Sequence, residues 1–70
     1  MKVSARNLLQ GKVKQVEPGA VNAVVTIELA GGQELVSVIT MQSVERLGLA
    51  PGVDAHAMIK ASNVMIAVDD

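Results

Sequence analysis

The sequence predicts a small all-β fold: a five-stranded, OB-like Greek-key barrel with one short helix between strands 3 and 4. Three observations point there. Apolar residues recur with a period of two along most of the chain, and pairs of turn residues separate the runs. The period changes once, between Thr40 and Gly48, where a helix fits. Seventy residues make one domain, expected to span residues 1–70.

The elements follow in order. Leu8 to Glu17 reads as the first strand, closed by the turn pair Pro18-Gly19. In Val21 to Ala30, positions 21, 23, 25, 27 and 29 are apolar, while Asn22, Thr26 and Glu28 take the other face, the pattern of a half-buried strand. Gly31-Gly32 joins it to Leu35–Thr40 as a tight hairpin, because turns that match strand twist need positive φ. Thr40 can cap a helix over Met41 to Leu47, with Val44 and Leu47 three apart and Gly48 as its stop. After Pro51-Gly52, Val53, Ala55, Ala57 and Ile59 alternate with Asp54, His56, Met58 and Lys60 as a fourth strand. Val64 to Val68 reads as the fifth, apolar on both faces and so expected to be covered on both sides. A split sheet of the same strands is the competing arrangement. Parallel βαβ units are disfavoured, since one connection only is long enough to hold a helix.

Composition narrows the function. Half the residues are hydrophobic, yet there is no Phe, Trp or Tyr. Small and β-branched side chains suit closely packed strands. A chain this short buries only about 60% of its unfolded surface, so association with copies of itself is expected. The four Met are expected to fill gaps in the core, and His56 to lie on the surface. With no Cys and one His, no direct protein–metal ligands are expected. Six Lys and Arg against seven Asp and Glu make no basic stripe, and no aromatic ring is present to stack on a base, which argues against nucleic acid. The run from Val64 to Val68 is far too short to span a bilayer, and the N-terminus lacks a signal-peptide core, so no membrane partner and a cytoplasmic location are expected. The acids are scattered singly, with none beside a nucleophile, so no enzyme is expected.

The strand pattern leaves some polar residues over. Ser4, Arg6 and Asn7 precede the first strand, Thr40 and Ser43 sit at the strand-to-helix junction, and Lys60 and Ser62 follow the fourth strand. All are donors, two are cations, and no carboxylate falls among them. Such a set suits a bound oxyanion, which needs charge compensation and hydrogen bonds in place of water. Each residue also has a plainer explanation: solvated cations at Arg6 and Lys60, helix-start residues at Thr40 and Ser43, turn or strand-edge residues at Gly19 and Asn22.

Ser4-Ala-Arg-Asn7, Gly11-Lys-Val, Gly19-Ala-Val-Asn22, Ile39-Thr40 with Ser43-Val44, Leu47-Gly-Leu49 and Lys60-Ala-Ser62, in this order and spacing, resemble the molybdate-binding Mop family, the molbindins, whose module is of the TOBE type. The resemblance runs from Lys2 to about Val68. It implies an OB-like barrel, assembly as a homo-hexamer built as a trimer of dimers, and storage of molybdate, with tungstate as an analogue and no organic cofactor. It implies a first class of site at the dimer interface, with Ser4, Ala5 and Arg6 from one subunit. Lys60, Ala61 and Ser62, with Thr40 and Ser43 nearby, would come from its partner, and Ala5 and Ala61 would act through backbone N–H groups. A second class near the threefold axis would be lined by Gly19, Ala20, Val21 and Asn22. The alternative function is an anion-sensing module of a molybdate transporter ATPase or a molybdate-responsive regulator.

Overall fold

The computed structural model describes all 70 residues. Its longest strand, β1 (Asn7–Glu17), organises the sheet, because its two halves have different partners. Gly11 to Glu17 pair antiparallel with β2 (Asn22–Leu29), and Asn7 to Lys12 pair antiparallel with β4 (Asp54–Ile59). The remaining strand, β3 (Glu34–Thr40), lies on the far side of β2. The order β3-β2-β1-β4 is a Greek key, as the alternating runs predict.

Local sequence explains how β1 curls to serve two partners. Its register on β2 slips between Val13 and Gln15, leaving Lys14 unpaired in a bulge. Lys14 and Gln15 therefore both face solvent, while Val13 and Val16 both turn inward, and the added twist bends the strand. Gly11 sits where both ladders overlap, opposite Leu29 on one side and Ala55 on the other. A Cβ there would fall on the Glu28 carbonyl oxygen and within 2.8 Å of Ile27 Cγ2, so the crossing admits no side chain.

The β2–β3 hairpin closes over Ala30–Gly32, with Gly32 N–H donating to Leu29 O (2.9 Å) and Leu29 N–H to Gln33 O (2.8 Å). Of the two glycines, Gly32 takes the positive φ, 88°. The helix α1 (Met41–Leu47) matches its sequence signals: Ser43 N–H donates to Thr40 Oγ1 (3.0 Å), and Gly48 ends it in the left-handed region. Val44 from α1 joins Val13, Ala23, Val25 and Ile27 in a five-residue core. No helix is long and apolar enough to cross a membrane.

Two expectations are corrected. Val64 to Val68 form no strand; Met65 is 92% exposed and Ile66 84%. A run that is apolar on both faces signals burial on both sides, but a strand needs a free edge to pair with, and this chain does not fold its tail back onto β3 or β4. The barrel is therefore an open, curled four-stranded sheet. Of the four methionines, Met41 alone packs against the core, while Met1, Met58 and Met65 are exposed.

Candidate functional site

The β1–β4 register explains how two segments more than fifty residues apart come together. Asn7, the first residue of β1, pairs with Ile59, the last of β4. The Asn7 side-chain amide donates to Ile59 O (3.2 Å) and ties the two ends. The chain entering β1 and the chain leaving β4 therefore emerge side by side. A single 3-10 turn, Ala61–Asn63, follows at once, closed by Asn63 N–H to Lys60 O (2.9 Å) and Val64 N–H to Ala61 O (3.2 Å). Its first N–H groups, on Ala61 and Ser62, have no acceptor within the turn.

Between the two segments lies an open cavity of about 830 Å³. Six of the expected residues line it: Ser4, Ala5 and Arg6 on one side, Lys60, Ala61 and Ser62 on the other. One chain suffices to bring them together, so the division of these segments between two subunits is not needed for their meeting. No carboxylate lines the cavity, and neither Arg6 nor Lys60 has an ion-pair partner. The contrast lies further along the same sheet. A smaller cavity of about 410 Å³ beside Lys12, Glu28 and Asp54 has its cation engaged, with Lys12 Nζ 2.5 Å from Asp54 Oδ1. Lys12 holds the Asp54 carboxyl below the usual carboxylate range, by its hydrogen bond first and its charge second. Lys14 is likewise bound to Glu34, which raises its ammonium above the usual lysine range. The cations of the larger cavity thus face an anion-free mouth.

Thr40 and Ser43 do not line this cavity. Thr40 pairs with Asn22 across β2 and β3, beyond the end of β1 that lies away from Asn7. Its hydroxyl is engaged locally, accepting from Ser43 N–H and donating to Ser43 Oγ (2.9 Å). Thr40 and Ser43 thus share a corner with the Gly19–Asn22 turn, whose Val21 carbonyl accepts from Met41 N–H (2.8 Å). All four residues of that turn are exposed. Gly19 is required there by crowding: a Cβ would collide with the Asn22 carbonyl oxygen.

Residues 3–66 match the TOBE domain family. A probable molybdenum-pterin-binding protein of Haemophilus influenzae is 48% identical over 69 residues, covering 99% of this chain and all of that protein. The chain belongs to the Mop family of TOBE domains. Among solved structures, MopII from Clostridium pasteurianum superimposes with a TM-score of 0.90 at 43% identity, over 96% of this chain and all of that one. The cytoplasmic molybdate-binding protein ModG, in a form with molybdate bound, gives a TM-score of 0.90 at 55% identity, over 93% of this chain and 46% of that one.

Three residues of this Mop-family cavity escaped the sequence: Val3, Met58 and Asn63. Met58 was recoverable, since alternate residues of a strand share a face and Met58 stands two before Lys60. Val3 and Asn63 carry no signal beyond their adjacency to Ser4 and Ser62.

Proposed function

We propose that this protein binds molybdate, and tungstate as its analogue, in the cavity between Ser4–Arg6 and Lys60–Ser62. The observation that carries this function is the meeting of two unpaired cations and several hydroxyl and amide donors in a cavity without a carboxylate. A tetrahedral dianion needs donors from several directions, and desolvating it is costly unless its charge is offset. Ser4 and Ser62 supply hydroxyls, Ala5 and Ala61 backbone N–H groups, and Arg6 and Lys60 the charge. The molybdate-bound ModG relative supports the choice of anion.

The cavity is far wider than one oxyanion, so one protomer touches the ion on one side only. A second copy completes the enclosure, in a homo-oligomer for which the hexamer, a trimer of dimers, is the proposed form. Only five of 70 residues are buried, and an apolar tail stands in solvent, which supports such assembly. Gly19, Ala20, Val21 and Asn22 are the proposed second, threefold class of site, and Thr40 and Ser43 lie at the same corner of the chain. The protein acts as a cytoplasmic store of molybdenum and not as a catalyst.

Native mass spectrometry with and without molybdate tests the assembly and the cargo together: a hexamer that gains molybdate is expected, and a monomer that gains none sinks the proposal. Calorimetry of Lys60→Ala tests the site itself. Removing one of two charges that face a dianion costs about 2 kcal/mol or more, some thirtyfold in Kd. Parent-like affinity would show that the anion binds elsewhere.

A further inference from the structure

The donors of the cavity explain why an oxyanion binds, but they do not distinguish one tetrahedral dianion from another. Sulfate has the same charge and shape as molybdate and is smaller. The cavity also has a hydrocarbon side. Met58 lines it from the end of β4 and is 57% exposed, unlike the core-filling methionine its sequence suggests. Val3, also exposed, lines the cavity with it, and the register partner of Met58 on β1 is a further exposed apolar residue, Leu8. Two exposed apolar side chains, Val3 and Met58, therefore line the same cavity as Arg6 and Lys60, where an anion site by itself would favour further donors.

Resting on the oxyanion function proposed above, we propose that Met58, with Val3, is a specificity-determining wall that favours the larger, more weakly hydrated oxyanion. The physical reason is desolvation. The cost of taking an ion out of water rises as its radius falls, so sulfate loses more than molybdate for every contact that displaces water. Donors return part of that loss, whereas hydrocarbon returns none. A wall of Met58 and Val3 thus weakens sulfate more than molybdate, while Ser4, Arg6, Lys60 and Ser62 serve both. Met58 also suits the position sterically, since its unbranched chain adapts to a large ligand.

The test measures molybdate and sulfate affinities by calorimetry for the parent, Met58→Gln, Met58→Leu and Lys60→Ala, with the fold of each checked by circular dichroism. Gln keeps the length of Met and supplies a donor and an acceptor; Leu keeps the hydrocarbon. The molybdate-over-sulfate ratio is expected to fall about tenfold in Met58→Gln, equivalent to about 1.4 kcal/mol, and to stay within about twofold of the parent in Met58→Leu. Lys60→Ala should weaken both anions together and leave the ratio in place. A parent-like ratio in Met58→Gln overturns the wall, and so does an equal fall in Met58→Leu, which would make shape and not polarity the cause. If the parent binds neither anion, the oxyanion function fails first and the wall fails with it; if it binds both and only the ratio is insensitive to Met58, the wall alone is wrong.

Discussion

Gly11→Ala should be among the most damaging single-methyl changes available to this chain. At this residue β1 belongs to two ladders at once, and the new methyl would meet a backbone oxygen, Glu28 O, and Ile27 Cγ2 at 2.8 Å. Ile27 is buried in the core and Glu28 O belongs to a paired strand, so neither can swing aside. Overpacking of this kind costs about 1–3 kcal/mol. Alanine also narrows the unfolded ensemble, which returns about 0.4–1 kcal/mol. Taking the middle of each range, the net loss is about 1.3 kcal/mol, or roughly 5–10 °C in Tm for a domain of this size. Thermal and urea unfolding followed by circular dichroism, at fixed protein concentration, would measure it. Gly32→Asn serves as the control: its φ of 88° is left-handed but nothing lies within 4 Å, and Asn visits that region readily. A Gly11→Ala protein as stable as the parent, or no less stable than Gly32→Asn, would refute the crossing as the cause.

Thr40→Ala removes the helix cap and should cost about 1 kcal/mol, read as a lower urea midpoint with an unchanged slope. Asp54 is held below the usual carboxylate range by Lys12, so its contribution is present above the unfolded carboxyl pKa and lost as pH falls through the folded one. The stability gap between the parent and Asp54→Asn should accordingly shrink from neutral to acid pH in thermal melts; a gap that widens on acidification contradicts the pairing. Ile66→Asp puts a charge on the exposed apolar tail, and light scattering should show a smaller assembly, whereas an unchanged mass would exclude the tail from the contacts between copies.

Much of the fold was legible because it is local. Alternation in Val21–Leu29 and Leu35–Thr40, the Thr40 cap, the Gly48 stop and the Pro51-Gly52 turn are set by neighbours a few residues apart, and the structure has each of them. The bulge at Lys14 also has a trace in the sequence, the break of alternation between Val13 and Val16. The tail was not legible in the same way. Val64 to Val68 announce that they avoid water, but periodicity cannot say which surface covers them, and within one chain none does.

The candidate site divides along the same line. By itself the sequence set apart a group of residues whose chemistry suits an anion, Ser4, Arg6, Asn7, Thr40, Ser43, Lys60 and Ser62, donors without an acid among them. Only the tertiary structure decided that Ser4, Arg6, Lys60 and Ser62 share one cavity, through the pairing of Asn7 with Ile59, and that Thr40 and Ser43 lie at another corner of the chain, through the pairing of Thr40 with Asn22. It also decided that Met58 lines that cavity and does not fill the core. Chemistry is a property of residue types and is written along the chain, whereas proximity is a property of strand register, and a register is set only when distant strands pair.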